Sequence, residues 1–431
     1  MVWAWYRYCI CYTSLQSVLI YSFDEVEFMN IKTRRNIYLF VGVVTMLFSG
    51  VLYAWSILKI PFAEEFCWPA EMLATNFTLT MTFFCLGAFF GSIAAKKFGV
   101  RNSLLISAFL TGSGFIATGF LNASSEIFLF ITYAFLAGSG IGISYNVVVS
   151  TVTSWFPDKK GFSSGCLMLG FGLSTLLLGN LIDNLYKNDL FGRKNTFILI
   201  GVLLFVVLVF SALILRKPGE ETVLPEVQKS SSNKCVKTHD FTTKEMLSSF
   251  TFWKAFICMT FLTAVGNSAI SFARDLALSV NASAQFATTM VGILAVCNGF
   301  GRILTGAVFD KFGRKTAMYA SNVITIVSAA VTLFSIVFGS LPLCVAGLCL
   351  IGISYGSCPT VTSAFTSAFF GQKHFSVNYS IMNFNLIIAS VIAGISNKLL
   401  IISGGYVISF AVLLILSVVA MVLNLTIKQP Q

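Results

Sequence analysis

Twelve apolar runs, each about as long as a membrane-crossing helix, dominate the sequence. A transmembrane helix needs about 20 consecutive apolar residues. Only 10% of the residues are charged, against roughly 25% in soluble domains, which excludes a soluble enzyme, a disordered chain and a nucleic-acid-binding protein. We therefore expect an all-α integral membrane protein with twelve transmembrane helices in the lipid bilayer. The predicted spans are 36–58, 72–95, 102–121, 126–150, 162–183, 195–215, 253–276, 284–309, 316–338, 342–366, 376–399 and 403–427.

The 28 Lys and Arg residues are unevenly distributed between the two sides of these spans. With both termini inside, the inside segments hold 21 of them, the outside segments hold six, and Arg302 lies within the eighth span. Lys and Arg accumulate in short cytoplasmic loops, so we expect a multi-pass protein of the plasma membrane with cytoplasmic termini. The net charge of +11 then reflects topology rather than nucleic-acid binding.

The polar residues 216–252 divide the spans into two groups of six and predict a flexible cytoplasmic linker. The other predicted domains are an N-terminal cytoplasmic or interfacial segment at 1–35, six-helix bundles at 36–215 and 253–427, and a cytoplasmic tail at 428–431. The first 28 residues are apolar and aromatic, but they lack the basic start and cleavage site of a signal peptide. They are either an interfacial segment or a mis-assigned start, with translation beginning at Met29.

Two motifs recur at nearly the same spacing. Residues 141–145 (IGISY) in span four return as residues 351–355 in span ten, an offset of 210. The loop at 96–101 (KKFGVR) after span two returns at 310–315 (DKFGRK) after span eight, an offset of 214. Parallel six-helix repeats of this kind predict two pseudo-symmetric bundles with a substrate site between them.

Residues 306–315 (GAVFDKFGRK) match in full the loop signature G-x-x-x-D-[RK]-x-G-[RK]-[RK]. The chain therefore resembles the major facilitator superfamily, and this implies a carrier that works by alternating access. In the first half, Ser92 stands at the motif glycine and Lys96 at the motif acid, so the pattern does not predict a gating latch there. The gating residues that the resemblance implies are Gly306, Asp310, Gly313, Arg314 and Lys315.

Three shorter stretches resemble the oxalate:formate antiporter family, to which the monocarboxylate transporters are related. They are residues 50–61 (GVLYAWSILKIP), 298–302 (NGFGR) and 378–380 (NYS). This resemblance implies a secondary transporter of small organic anions.

Arg302 is the most informative single residue. It lies eight residues before Asp310, which is about 12 Å along a helix at about 1.5 Å per residue and near the middle of a roughly 30 Å hydrocarbon core. A guanidinium at this depth is retained for a pathway or a ligand, and it binds a carboxylate through two parallel hydrogen bonds. The resemblance implies the same role. The alternative is a structural arginine that reaches the interface or pairs with backbone carbonyls.

The second cation of the resembled family, a lysine in span eleven, falls at or beside Leu386, and no lysine occurs between 374 and 397. A single buried cation favours formate, lactate, pyruvate or another monocarboxylate, because a dianion would leave one charge unpaired. Oxalate exchange remains an alternative that the resemblance implies. Asn383 and Asn385 are candidates for binding a carbonyl or hydroxyl group, or alternatively for joining helices.

Proton coupling through a carboxylate is not predicted. Monocarboxylate transporters pair this arginine with an aspartate one turn earlier, where the chain has Asn298. The acidic residues lie outside the spans or near their ends. Exchange or facilitated transport therefore fits better than symport.

Four aromatic residues are candidate walls of the cavity or, alternatively, ordinary packing residues. Tyr145 and Tyr355 hold equivalent places in the repeat and could close on a planar anion from opposite sides. The four are Tyr53, Trp55, Tyr145 and Tyr355.

The sequence does not favour a metalloprotein, an enzyme or a sensor. The only histidines, His239 and His374, lie in loops, and the cysteines form no ligand cluster, so we expect no metal and no cofactor. An enzyme would need facing nucleophile, base or metal groups, and a membrane sensor would need an added signalling domain, so neither is expected. The carrier of a neutral metabolite or drug, with Arg302 structural, stays open. We expect a monomer.

Overall fold

The chain is almost entirely helical in the computed structural model, which describes residues 30–186, 192–219 and 240–428 and contains no β-strand among them. The helices are α1 Ile31–Ser49, a 3₁₀ turn Gly50–Ala54, α2 Trp55–Leu58, α3 Ile60–Phe66, α4 Ala70–Gly119, α5 Glu126–Leu129, a π-helical stretch Phe130–Ala137, α6 Gly138–Ser154, α7 Lys160–Tyr186, α8 Gly192–Ile214, α9 Thr243–Ser248, α10 Phe250–Ser279, α11 Ala284–Phe338, α12 Leu341–Phe370, α13 Phe375–Met382, α14 Asn385–Ser403 and α15 Tyr406–Leu425.

Two of these helices cross the membrane twice. Helix α4 has 50 residues and α11 has 55, which is more than double the length that a roughly 30 Å core requires. Each contains one glycine with a left-handed φ, 82° at Gly99 and 79° at Gly313. Residues other than glycine rarely adopt this conformation, so the two glycines fix the turns. Ten helices among the described residues are long and apolar enough to span a membrane; with two of them double, the predicted twelve spans are confirmed.

The helix boundaries differ from the predicted ones where side chains cap a helix. Helix α1 begins five residues early because Asn30 accepts a hydrogen bond from the Lys32 amide at 3.1 Å. Helix α9 lies within the predicted linker, where Thr242 and Glu245 form a capping box. The rest of the N-terminal segment, Met29 included, and linker residues 220–239 lie outside the described residues.

Span eleven tightens between α13 and α14, at Asn383 and Phe384, whose φ and ψ angles stay in the right-handed helical region. There the Leu386 amide donates to the Asn383 carbonyl at 3.0 Å, a contact three residues apart. The span therefore continues through a 3₁₀ turn, and a 3₁₀ turn within a helix often marks a functional hinge.

Candidate functional site

A cavity lies between the N-terminal half (α1–α8) and the C-terminal half (α10–α15), where the repeat predicts a site. Its volume is about 30 Å³, on a measure by which one water molecule needs about 10–15 Å³. The cavity therefore suits a ligand of few non-hydrogen atoms. Its lining residues are Tyr53, Phe84, Tyr145, Met168 and Phe171 from the first half, and Thr263, Arg302, Tyr355, Pro359, Thr362, Asn383, Asn385 and Leu386 from the second.

Arg302 supplies the positive charge of this cavity. Its side chain is 4% exposed, and the other buried charged residue in the described part of the chain is Arg35. Arg35 forms an ion pair with Asp158, whereas Arg302 has no carboxylate partner among the described residues. A buried charge without a counter-ion is costly in an apolar environment, so the arrangement favours an anion in the cavity.

Two hydrogen bonds hold the Arg302 guanidinium. Nε donates to Oδ1 of Asn298 at 3.2 Å, one turn earlier on α11. Nη1 donates to the backbone carbonyl of Met168 on α7, in the opposite half. Asn298 does not line the cavity; it contacts Arg302 as a neutral acceptor at the position where the resemblance would place an acid.

Three side chains at the 3₁₀ turn of span eleven line the cavity, those of Asn383, Asn385 and Leu386. Asn383 is 3% exposed, and its Nδ2 makes no hydrogen bond of normal length among the described residues, although it interacts with the Tyr379 hydroxyl one turn earlier. A buried N–H without a close acceptor is costly, so this amide is a candidate donor for a ligand oxygen. Leu386 reaches the cavity at the position where the resembled family has its lysine.

The predicted aromatic walls divide into two groups. Tyr53, Tyr145 and Tyr355 line the cavity, with Tyr145 and Tyr355 contributed by opposite halves. The Tyr145 hydroxyl lies 2.8 Å from that of Tyr379, a residue that the sequence pattern did not single out.

Trp55, also predicted as a cavity wall, is not among the lining residues. Its indole Nε1 donates to the Leu73 carbonyl at 3.0 Å, and its ring lies 4.4 Å from that of Tyr133. Because its single donor and its faces are used inside the N-terminal half, Trp55 packs in the core rather than lining the cavity.

Several lining residues were not predicted. Thr263 and Thr362 are each one of several hydroxyl residues in their spans, and Phe84 and Phe171 look like ordinary core phenylalanines. Met168 contributes a backbone carbonyl to Arg302, which no side-chain pattern can indicate.

Asp310 joins the two halves on the side of the molecule that carries the linker, here called the linker side. Its Oδ1 accepts from the Gly161 amide at 2.7 Å and its Oδ2 from the Phe162 amide at 2.6 Å. These are first-turn amides of α7, which lack helical partners and favour negative charge. The carboxylate thus caps a helix of the opposite half.

The other motif residues support this contact or the turn after it. A Cβ on Gly306 would clash with the Gly161 carbonyl, so the two backbones touch, and Gly313 makes the turn. Arg314 lies over the Phe369 ring at 4.1 Å, while Lys315 is exposed.

The first-half copy of the motif makes a different contact. Gly99 repeats the turn of Gly313, but Lys96 occupies the place of the acid and its Nζ lies 3.3 Å from Nδ1 of His374. Beside this contact, Asn146 and Ser376 exchange two hydrogen bonds, at 3.1 and 2.6 Å, between the halves. The linker side is therefore closed by one carboxylate cap, the contact between Lys96 and His374, and the two hydrogen bonds between Asn146 and Ser376.

Replacing Asp310 by asparagine should loosen this closure. The amide keeps one acceptor oxygen but loses the charge that a helix N-terminus favours, worth about 1–2 kcal/mol in partly buried sites, or about tenfold in population. We expect hydrogen exchange at the Gly161 and Phe162 amides to become about tenfold faster, measured by mass spectrometry. Asp275→Asn, which removes an exposed carboxylate of the same half, is the control; equal exchange in the two variants would contradict the cap.

The chain is similar to known membrane transporters. Residues 38–273 and 256–431 match the sequence model of the Major Facilitator Superfamily. The chain is 28% identical over 353 residues to the oxalate:formate antiporter of Oxalobacter formigenes, with 80% of each chain covered. It is 25% identical over 143 residues to monocarboxylate transporter 9 of Gallus gallus, with 33% of this chain and 27% of that protein covered.

Among solved structures, the proton:xylose symporter XylE has a TM-score of 0.70 at 14% identity, with 93% of this chain and 97% of that chain covered. At this identity the likeness shows the fold alone. Together the matches confirm the resemblance that residues 306–315 carry.

Proposed function

This chain belongs to the major facilitator superfamily, whose members are multi-pass membrane transporters of small molecules, and we propose that it exchanges small monocarboxylates such as formate, lactate or pyruvate across the plasma membrane. The observation that carries this proposal is the buried guanidinium of Arg302, which lines a small cavity between the halves without a carboxylate partner among the described residues. An organic anion of a few atoms is the ligand that neutralises it.

The cavity favours one carboxylate over two. Among the described residues, Arg302 is the one cation that lines the cavity, and Leu386 lies at or beside the position where the resembled family has a second one. A dicarboxylate would therefore place one charge among tyrosine, asparagine and apolar groups, at a large desolvation cost. The buried Asn383 side-chain amide, which makes no hydrogen bond of normal length among the described residues, is a donor for a carbonyl or hydroxyl oxygen next to the carboxylate.

Transport follows from the contacts between the halves. The carboxylate binds to Arg302 of the second half and to the tyrosines of both halves. The linker-side contacts of Asp310 and Asn146 then separate as the halves rock, and the cavity opens toward the linker. We assign the linker side to the cytoplasm because the Lys- and Arg-rich loops lie there; both termini are then cytoplasmic. One chain contains both halves of the site, which is consistent with a monomer.

Exchange or facilitated transport fits the site better than proton symport. On its own helix, Arg302 donates to the side-chain oxygen of Asn298, and this carboxamide group does not titrate. Among the described residues, no acidic side chain lines the cavity.

A second candidate is a carrier of a neutral metabolite or drug in which Arg302 is structural. The hydrogen bond from Arg302 to the Met168 carbonyl favours it, because backbone pairing is what a structural arginine would show. An oxalate exchanger, like the relative from Oxalobacter formigenes in its printed name, is a third candidate with the same fold.

Purified protein in liposomes discriminates among these candidates. Vesicles loaded with lactate should take up labelled lactate, and external formate or pyruvate should compete at concentrations where oxalate and xylose do not. The physical reason is that one cation neutralises one carboxylate. Efficient competition by oxalate would favour the dicarboxylate exchanger, and competition by the neutral sugar alone would overturn the proposal.

A further inference from the structure

Arg302 lies flat against bare backbone of helix α7, which belongs to the opposite half. Its Nη1 donates to the Met168 carbonyl. A Cβ placed on Gly172 would lie 2.9 Å from Cζ of Arg302, 3.1 Å from Nη1 and 3.2 Å from Nε. The distance to Cζ is shorter than real Cβ contacts, so the guanidinium would have to move from its present position if residue 172 carried a side chain.

Met168 and Gly172 form a single surface, here called the α7 seat. In an α-helix the carbonyl of Met168 accepts one hydrogen bond from the amide four residues later, which is that of Gly172. A carbonyl oxygen has two lone pairs, and the second one is available to Arg302. The seat thus combines a backbone acceptor with the space left by a missing side chain.

The seat leaves most of the guanidinium free for a ligand. Arginine has five N–H donors, of which one on Nε binds Asn298 and one on Nη1 binds Met168. The other three, including both on Nη2, make no hydrogen bond to the described residues. Two donors are enough for a bidentate carboxylate, and Arg302 lines the cavity.

We propose that the α7 seat is a positioning element for Arg302, so that the first half orients the guanidinium that the second half carries. This inference rests on the proposed function. It adds that the carboxylate site is complete only while Arg302 of α11 contacts the α7 seat. The approach of the two helices is close there: a Cβ on Gly165 would lie 2.7 Å from the Arg302 carbonyl. When the halves move, Arg302 loses the seat and its hold on the carboxylate weakens.

Gly172→Ala tests the seat. The added methyl group pushes the guanidinium away from the Met168 carbonyl, so we expect the KM for lactate exchange to rise about tenfold while the maximal rate changes less than about twofold. Gly292→Ala is the control, because a Cβ there has nothing within 4 Å, and its KM should stay at the wild-type value. An unchanged KM in Gly172→Ala would overturn the proposal.

The same substitution in an Arg302→Lys background separates positioning from packing. Lysine carries a compact ammonium group in place of the planar fork, so Gly172→Ala should cause no further rise in KM there. Contacts that act through one another are non-additive in such a cycle. A tenfold rise in both backgrounds would mean that the alanine disturbs helix packing, and the seat would be rejected.

Melting temperatures keep the test independent of the proposed function. They are measured in detergent without substrate for the wild type, Gly172→Ala, Arg302→Lys and the double variant. The seat requires Gly172→Ala to lower the melting temperature by several degrees more in the Arg302 protein than in the Arg302→Lys protein. If this coupling is found while the wild-type protein exchanges no monocarboxylate, the seat stands and the proposed function falls. If Gly172→Ala does not fold, recovery of folding in the double variant supports the seat, and failure of both overturns it.

Discussion

Replacing Arg302 by alanine should abolish monocarboxylate exchange in liposomes and leave the protein folded. Truncating one partner of a buried, hydrogen-bonded charge pair costs about 2–5 kcal/mol, which corresponds to roughly 30-fold to several-thousand-fold in affinity. The fold should tolerate the change because a buried guanidinium without a carboxylate partner is itself costly in the membrane. The measurement is uptake of labelled lactate into lactate-loaded vesicles, with the melting temperature as the check on folding.

Arg302→Lys is the matched control for this loss. It keeps the positive charge but gives up the two parallel hydrogen bonds, so exchange should persist with a KM about tenfold higher. Full exchange in Arg302→Ala would show that the guanidinium does not bind the substrate. Equal loss in both variants with a lowered melting temperature would instead indicate a structural arginine and favour the carrier of a neutral molecule.

The helical framework was predictable because the bilayer imposes a length on each apolar run. The repeat of the glycine turn, at Gly99 and Gly313, follows from the same logic, since a left-handed φ is accessible to few residues other than glycine. The 3₁₀ turn at Asn383 was not predictable, because it lies in an apolar run without a proline or glycine to mark it.

The candidate site was predictable to the extent that it depends on charge. Arg302 stands out as the one basic residue near the middle of a predicted span, since the others lie in loops or at span ends. Tyr53 and Trp55 are both amphipathic rings of span one, but only Tyr53 of the two lines the cavity, because the Trp55 indole donates to the Leu73 carbonyl inside the N-terminal half. Met168 and Gly172 act through a carbonyl and through the absence of a side chain, and neither leaves a pattern in the sequence.

Two charged residues of α11 contact the backbone of α7, and their spacing shows how the two helices are aligned and in which directions they run. Asp310 binds the amides at 161 and 162, and Arg302, eight residues earlier, binds the carbonyl of Met168. Eight residues on α11 and six or seven on α7 are each about 9–12 Å, so the helices run antiparallel. The carboxylate uses the amide end of α7 and the guanidinium uses a carbonyl, so each charge meets the backbone dipole that suits it.

Leu386→Lys should shift the substrate preference of the carrier toward dicarboxylates. The side chain lines the cavity that Arg302 also lines, so a lysine there would supply the second cation that a dianion needs. Coupling between close opposite charges away from water is about 1.5 kcal/mol or more, so oxalate should compete with lactate at least about tenfold more effectively than in the wild type. Lactate exchange itself should weaken, because one carboxylate leaves the new ammonium group unpaired.

Leu386→Met separates the charge from the shape of the new side chain. Methionine is unbranched and close in volume to leucine, so it changes the cavity wall without adding a cation, and the ratio of oxalate to lactate competition should stay at the wild-type value. Melting temperatures measured with and without oxalate complete the test, since a ligand that binds only the folded state raises the melting temperature of the variant that binds it. If lysine and methionine shift the ratio equally, or lysine leaves it unchanged, the number of cations does not set the substrate, and the preference for monocarboxylates must come from the size of the cavity.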